Sequence, residues 1–267
     1  MRLTDTFQRA MSMAVMASLL ATLSSRDAQA VECTAKSGPQ RVALLELYTS
    51  EGCSSCPPAD RWLSSLAGRQ YVPAGLLPLA FHVDYWNDLG WVDPYSHAQF
   101  SDRQREYSRR RGASFVVTPQ LLLDGQGYQR PLILQDIEGR TNAINRLPPR
   151  AEIRLTQNRS ASAIDARVEV SFAADAETRN ALVYVALYEN NLSTAVKAGE
   201  NKGALLKHDF VVRALTAPVA LGDSGRISHD VSIRLDPQWK PRDLHLAAFI
   251  QQPRTGEVLQ ALGADCR

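Results

Sequence analysis

The hydrophobic patterning of this chain changes period at Leu147-Pro148-Pro149, and that change limits its architecture more than any other feature. Before it, segments of strand length and helix length alternate. Arg41 to Tyr48 is an apolar run that fits a strand, and 57–66 reads as a helix with Trp62, Leu63 and Leu66 on one face. Leu76 to Trp86 reads as a second buried strand, and Ser96 to Arg111 as a charged helix stopped by Gly112. A short strand, Gln120 to Leu123, leads through Asp124-Gly125, a strong hairpin signal, to a partner near Tyr128 to Arg130. Leu132 to Arg146 closes the series as a helix. The order β-α-β-α-β-β-α predicts an α/β domain with a central mixed sheet. From Ala151 onward strand-like runs dominate (152–157, 166–172, 181–189, 207–215, 227–235 and 244–251), separated by turn clusters. Val168, Val170 and Phe172 alternate with Arg167, Glu169 and Ser171, the pattern of a half-buried strand. These runs predict an all-β, sandwich-like domain over 149–267.

The first 30 residues differ from the rest. Arg2 and Arg9 precede an uncharged run from Ala10 to Leu23, and Ala28-Gln29-Ala30 supplies a small-x-small cleavage signal. This layout predicts a signal peptide over 1–30 and a mature chain released to the periplasm or secreted, with no stable membrane span after cleavage. The first domain is then expected over 31–148. With 45% hydrophobic and 22% charged residues the composition is that of a globular protein. A net charge of +2 gives no reason to expect nucleic acid as a partner. Arg109-Arg110-Arg111 reads as a solvated helix end whose cations complement the dipole.

An exported address changes how four cysteines read, because outside the cytosol an even count suggests disulfides. Cys53 and Cys56 form a CxxC, while Cys33 and Cys266 lie just inside the ends of the mature chain. If Cys53 pairs with Cys56, the remaining pair is Cys33–Cys266, a structural staple tying the C-terminus back to the N-terminus.

The segment with chemical content is Thr49-Ser50-Glu51-Gly52-Cys53-Ser54-Ser55-Cys56-Pro57-Pro58, between a buried strand and a helix. A thiol at a helix N-terminus is stabilised as the nucleophilic thiolate by free N–H groups and the dipole. Two intervening residues let the second sulfur resolve a mixed disulfide with the first. Pro57 and Pro58 suit the first turn, where a missing N–H breaks no helical bond. A lone CxxC is also half a zinc site, but no second CxxC completes one, so no metal site and no cofactor is assigned.

About 60 residues on, Thr118-Pro119 opens a strand, and with this element the chain resembles the thioredoxin superfamily. The resemblance implies a thioredoxin-like first domain in which Pro119 is a cis-proline facing the disulfide, with Thr118 the variable residue before it. The segments VALLELYTSEGCSSCPPAD, HVDYWNDLGWVDPYS, RQREYSRR, TPQLLLDG, GENKG and LKHDFVVR resemble more closely a bacterial secreted family known as domain of unknown function 1223. That family implies a fold but no activity. By the same resemblance the loop carrying His82, Asp84, Trp86, Asn87, Asp88, Trp91 and Asp93 flanks the sulfurs, where Trp86 and Trp91 either build a substrate groove or cover the core.

The expected function is that of an exported thiol–disulfide oxidoreductase acting on protein or small-molecule thiols, with exported thiol or disulfide proteins and a redox partner as its partners. Cys53 would attack, Cys56 resolve, and Pro119 and Thr118 present backbone to the substrate. Two alternatives stay open. Copper handling would use both cysteines and His82, since soft thiolates suit Cu(I). An inert CxxC disulfide would leave recognition to the second domain. Glu51 either raises the Cys53 pKa as a nearby like charge or is merely solvated. Arg103 and Gln104 are candidates for orienting the loop. Glu200, Asn201, His208, Asp209 and Arg213 form a polar cluster read as capping or docking against the first domain.

Overall fold

A computed structural model of the protein describes residues 32–264 and 266, apart from 129 and 176, so the expected signal peptide lies outside the described residues. The strands are β1 (Glu32–Lys36), β2 (Ala43–Thr49), β3 (Leu76–His82), β4 (Gln120–Leu123), β5 (Gln126–Tyr128), β6 (Ala151–Arg159), β7 (Ala163–Phe172) and β8 (Leu182–Glu189). They continue with β9 (Leu192–Ala195), β10 (Leu205–His208), β11 (Val211–Leu215), β12 (Val219–Ala220), β13 (Arg226–Arg234), β14 (Leu244–Gln251) and β15 (Val258–Ala264). The α-helices are α1 (Pro57–Ser64), α2 (Ala98–Arg110) and α3 (Arg130–Asn145), the last kinked at Asp136.

These elements overturn the expected α/β, thioredoxin-like first domain. Strand accounts for 40% of the described residues and helix for 16%, in three sheets. There is no separate central mixed sheet. β2, β3, β4 and β5 are one end of a nine-stranded sheet ordered β15-β14-β8-β11-β3-β2-β4-β5, with β12 beside β8. Within it the parallel pairs are β2–β3 and β3–β11, and the other ladders are antiparallel. The physical reason lies in β3. LeuLeuProLeuAlaPheHis is buried at every position, and a strand covered on both faces is a poor sheet edge. β11, from beyond residue 148, takes the position beside it, starting at Val211 opposite Ala80. Ala80 N–H donates to Phe210 O at 2.8 Å. Pro78, two residues earlier, turns its nitrogen to the same edge before β11 begins, so its missing N–H breaks no ladder bond.

A second sheet, β1-β6-β7-β13, packs on the far half of the large sheet. The period-2 rule divides the residues between two cores. Val183, Val185 and Leu187 of β8 and Leu246, Ala248 and Ile250 of β14 face Ile153, Leu155, Val168 and Val170. The alternate residues Tyr184, Ala186, Tyr188, Ala247 and Phe249 join the core that contains Phe81, Phe100 and Leu63. Each fully buried Leu, Ile or Val contributes about 1.5–3 kcal/mol to such layers. A disulfide between Cys33 on β1 and Cys266 beyond β15, 233 residues apart, fastens the sheets.

The run from 207 to 215, read as one strand, is two. Phe210 has φ of +60°, a conformation costly for a bulky residue, and its N–H is held by Asn190 Oδ1 at 2.8 Å. The break lets β10 pair with β9 in a two-stranded ribbon while β11 enters the large sheet. It also sets His208, the last residue of β10, beside α1 and the CxxC loop.

Candidate functional site

Cys53 and Cys56 are joined as a disulfide, with Cα atoms 5.4 Å apart. Cys56 is the N-cap of α1, and Pro57 and Pro58 fill the first turn. Both cysteines are 0% exposed, although Ser54 and Ser55 between them reach solvent. The backbone of the loop that carries them is held by side chains from elsewhere in the chain. Asn201 Nδ2 donates to Glu51 O at 2.8 Å and to Cys53 O at 3.0 Å. Ser54 N–H donates to Glu200 Oε2 at 2.9 Å. Gly199, at φ of +72°, lies so close to Trp91 that a Cβ there would sit 3.0 Å from the Trp91 Cβ. A Cβ on Gly52 would likewise come within 3.1 Å of the Trp86 Cβ, so the chain needs glycine where the loops close together.

Thr118 and Pro119 stand on the other side. Their peptide bond is cis. Ser55 Oγ lies 3.4 Å from Cys53 Sγ and 3.4 Å from Thr118 O. Trp86 Nε1 donates to Thr118 Oγ1 at 2.8 Å. Gln104 Oε1 accepts from the Tyr85 hydroxyl at 3.0 Å and its Nε2 donates to Val117 O at 2.8 Å, so this residue of α2 touches both the loop after β3 and the Thr118 segment. Arg103 does not. It pairs with Glu46 at 2.8 Å and stacks on Phe81, Tyr184 and Phe249 inside the core. Phe115 and Val117, just ahead of Thr118, are exposed.

Behind the disulfide is a layer of buried charge that the sequence shows only in part. Glu51, read as a tuner of Cys53 or a solvated carboxylate, is wholly buried. Its Oε2 accepts from Trp91 Nε1 at 2.9 Å and its Oε1 lies 3.1 Å from His208 Nε2. Asp93 Oδ2 lies 2.7 Å from His82 Nδ1 and accepts the Glu51 N–H at 2.8 Å. Trp91 therefore holds a buried acid, and Trp86 fixes Thr118. Burial alone would raise the Asp93 carboxyl, but His82 and two backbone N–H groups hold it below its ordinary pKa. Burial pushes His82 down, and Asp93 against its ring more than reverses this. Asp60, one helical turn after Cys56, is raised by burial against the pull of His208 and His82. No pattern in the sequence marks it, because a single Asp after Pro-Pro reads as an ordinary first-turn residue.

His82 thus groups with Asp60 and His208, each of the three from a different element. Of the polar cluster in the second half, Glu200, Asn201 and His208 all contact the CxxC loop. Asp209 accepts the Asn191 N–H at 2.9 Å, and Arg213 lies over the rings of Tyr95 and Trp239. At the helix end, Arg110 pairs with Glu106 and Arg111 donates to Gln126. Among the described residues no helix is long and apolar enough to cross a membrane.

The family model for proteins of unknown function (DUF1223) matches residues 44–251. No curated protein shows significant similarity to the sequence. Among solved structures, protein AGR_C_4864 from Agrobacterium tumefaciens is similar with a TM-score of 0.61 at 23% identity, covering 86% of this chain and 98% of that one. HBP35 of Porphyromonas gingivalis is similar with a TM-score of 0.63 at 13% identity, covering 85% of this chain and 75% of that one. At these identities the likeness concerns the fold alone.

Proposed function

We propose that this chain, which belongs to the DUF1223 family of proteins of unknown function, carries out thiol–disulfide exchange on exported proteins through Cys53 and Cys56. The observation that carries the reading is the CxxC disulfide at the N-cap of α1, with Ser55 touching both Cys53 Sγ and the Thr118 carbonyl. A substrate thiolate attacks Cys53 Sγ, and Cys56 leaves as a thiolate stabilised by the helix N-terminus. A second substrate thiolate then displaces Cys53, so two electrons pass to the protein and the substrate gains a disulfide. The reverse sequence reduces a substrate, and the direction follows the relative potentials. Phe115 and Val117 offer apolar contact to an extended segment approaching Thr118 and Pro119. Two disulfides fit a periplasmic or secreted setting.

Because both cysteines are buried, exchange requires the loops around them to open, and in this reading the Glu200–Asn201 contacts on the CxxC loop are the cover that gives way. The same burial favours a second reading, in which the CxxC disulfide is a structural clasp. One experiment separates them. The reduction potential of Cys53–Cys56 is measured in the mature protein by equilibration with glutathione, alongside turnover of a dithiol peptide. Exchange predicts a potential within the range of glutathione buffers and turnover abolished in Cys53→Ser. A disulfide that stays oxidised below about −300 mV, as structural disulfides do, with no turnover, establishes the clasp instead.

A further inference from the structure

We infer that Asp60, His82 and His208 form a buried binding site for a divalent transition-metal cation, with Zn²⁺ as the matching probe. The three side chains converge from α1, β3 and β10, and one ligand-capable atom from each lies within 4.8 Å of the other two. They are 5%, 0% and 2% exposed. Asp60 Oδ2, His82 Nε2 and His208 Nδ1 have no hydrogen-bond partner among the described residues. Three buried polar atoms without a protein partner, on side chains that converge, suit a common occupant, because a buried donor or acceptor left unmatched is costly.

The surrounding contacts decide what kind of occupant. His82 Nδ1 is 2.7 Å from Asp93 Oδ2, and His208 Nε2 is 3.1 Å from Glu51 Oε1. A carboxylate partner calls for the proton on that nitrogen, which leaves the other nitrogen of each ring as a lone pair aimed inward. Two imidazoles oriented from behind by carboxylates are how proteins set histidines for a metal. Protonating both rings instead would leave two buried N–H groups without acceptors of good geometry. The charge points the same way: Asp60, Glu51 and Asp93 are three buried carboxyl groups around two imidazoles. Two nitrogens and one oxygen suit Zn²⁺ or a neighbouring first-row ion. Tetrahedral bonds of about 2.0–2.1 Å place donors roughly 3.4 Å apart, so the cluster needs to contract by no more than about 1.4 Å. A cavity of about 140 Å³ between α1 and β10 is lined by Asp60 and His208, two of the three residues, and offers an approach to them from the surface. The site does not depend on the chemistry of the sulfurs, since the cysteines remain bonded to each other.

The test uses the oxidised mature protein, stripped with a chelator and titrated with Zn²⁺ against a chromophoric competitor, with bound metal counted by mass spectrometry. The expected result is one Zn²⁺ per chain, a higher Tm on loading, and the same stoichiometry in His229→Gln and in Cys53→Ser/Cys56→Ser. Asp60→Asn and His208→Gln should lose the tight site. Glu51→Gln, which keeps all three ligands, should weaken it about 10–100-fold. Circular dichroism confirms that each variant is folded, and the wild-type count stands even if one is not. Uptake below 0.1 Zn²⁺ per wild-type chain would falsify the site, as would binding that survives both ligand variants or that vanishes with the cysteines.

Discussion

Replacing Asn201 with alanine tests whether the cover over the disulfide opens by itself or only when the whole molecule unfolds. The side chain makes two hydrogen bonds, to Glu51 O at 2.8 Å and Cys53 O at 3.0 Å, both to backbone of the CxxC loop. Each net bond of this kind stabilises by about 1 kcal/mol. Removing both should favour the open state by about 2 kcal/mol, or about 30-fold in its population at a tenfold change per 1.4 kcal/mol. If exchange passes through local opening, the rate of Cys53–Cys56 reduction by dithiothreitol rises by the same factor, because reagent reaches only the open form. The rate is read by quenching with a thiol alkylating reagent and weighing the chain. Leu155→Ala is the control. Leu155 lies 0% exposed between the two sheets, far along the sequence from the cover, and its truncation costs about 2–5 kcal/mol of global stability. Local opening leaves its reduction rate at the wild-type value. If Leu155→Ala accelerates reduction as much as its loss of global stability allows, the sulfurs are reached only through unfolding and the gated-exchange argument fails.

Two further outcomes follow from parts of the molecule remote from the cover. Loss of the Cys33–Cys266 bridge in a Cys33→Ala/Cys266→Ala variant should cost about 5 kcal/mol, from the loop-closure entropy of a 233-residue separation; chemical denaturation measures it, and a change under about 1 kcal/mol would show that the unfolded chain gains little freedom. Burial pushes Asp124 up to about 6 despite Arg41 at 2.6 Å. A carboxyl raised on folding contributes stability that is complete below its unfolded value near 4 and is lost as pH rises through about 6. The expected loss is roughly 3 kcal/mol across that window, flattened in Asp124→Asn. Denaturation midpoints at pH 4, 5, 6 and 7 check it, and an unchanged slope in the variant would refute it.

Local structure was largely legible in the sequence, and the pairing of distant segments was not. The strand at Gln120–Leu123 and the strand at Leu244–Gln251 have the predicted bounds. The Asp124-Gly125 hairpin forms with both residues at positive φ, where Gly125 has no room for a side chain against Gly256 O. The α/β expectation failed because a periodic pattern says which faces of a strand are buried but not which strand lies beside it. β3 carried the one hint, being apolar throughout and so unsuited to an edge, yet its neighbour β11 lies about 130 residues downstream. The strand at 192–195 escapes notice because the short polar run LeuSerThrAla lacks a marked alternation, and the strand at 258–264 because ValLeuGlnAlaLeuGlyAla is buried on both faces and so has none to show. In the site, Cys53, Cys56, Thr118 and Pro119 stand out by motif and spacing. Asp60 and the burial of Glu51 do not, since their partners come from three other elements.

The positive φ at Phe210 joins these observations into one argument about how the site is built. Had 207–215 run on as a single strand, β10 and β11 would lie in one line of the large sheet. The kink instead releases β10 to the ribbon with β9, whose connecting segment carries Gly199, Glu200 and Asn201 onto the CxxC loop, while β11 still fills the edge of β3. The same turn delivers His208 to Glu51. The cover over the sulfurs and one side of the buried histidine pair are thus both consequences of a single backbone reversal, held by Asn190 through the Phe210 N–H. The part of the chain that sequence patterning assigned to a separate second domain supplies both the contacts that hold the CxxC loop and one histidine of the layer behind it.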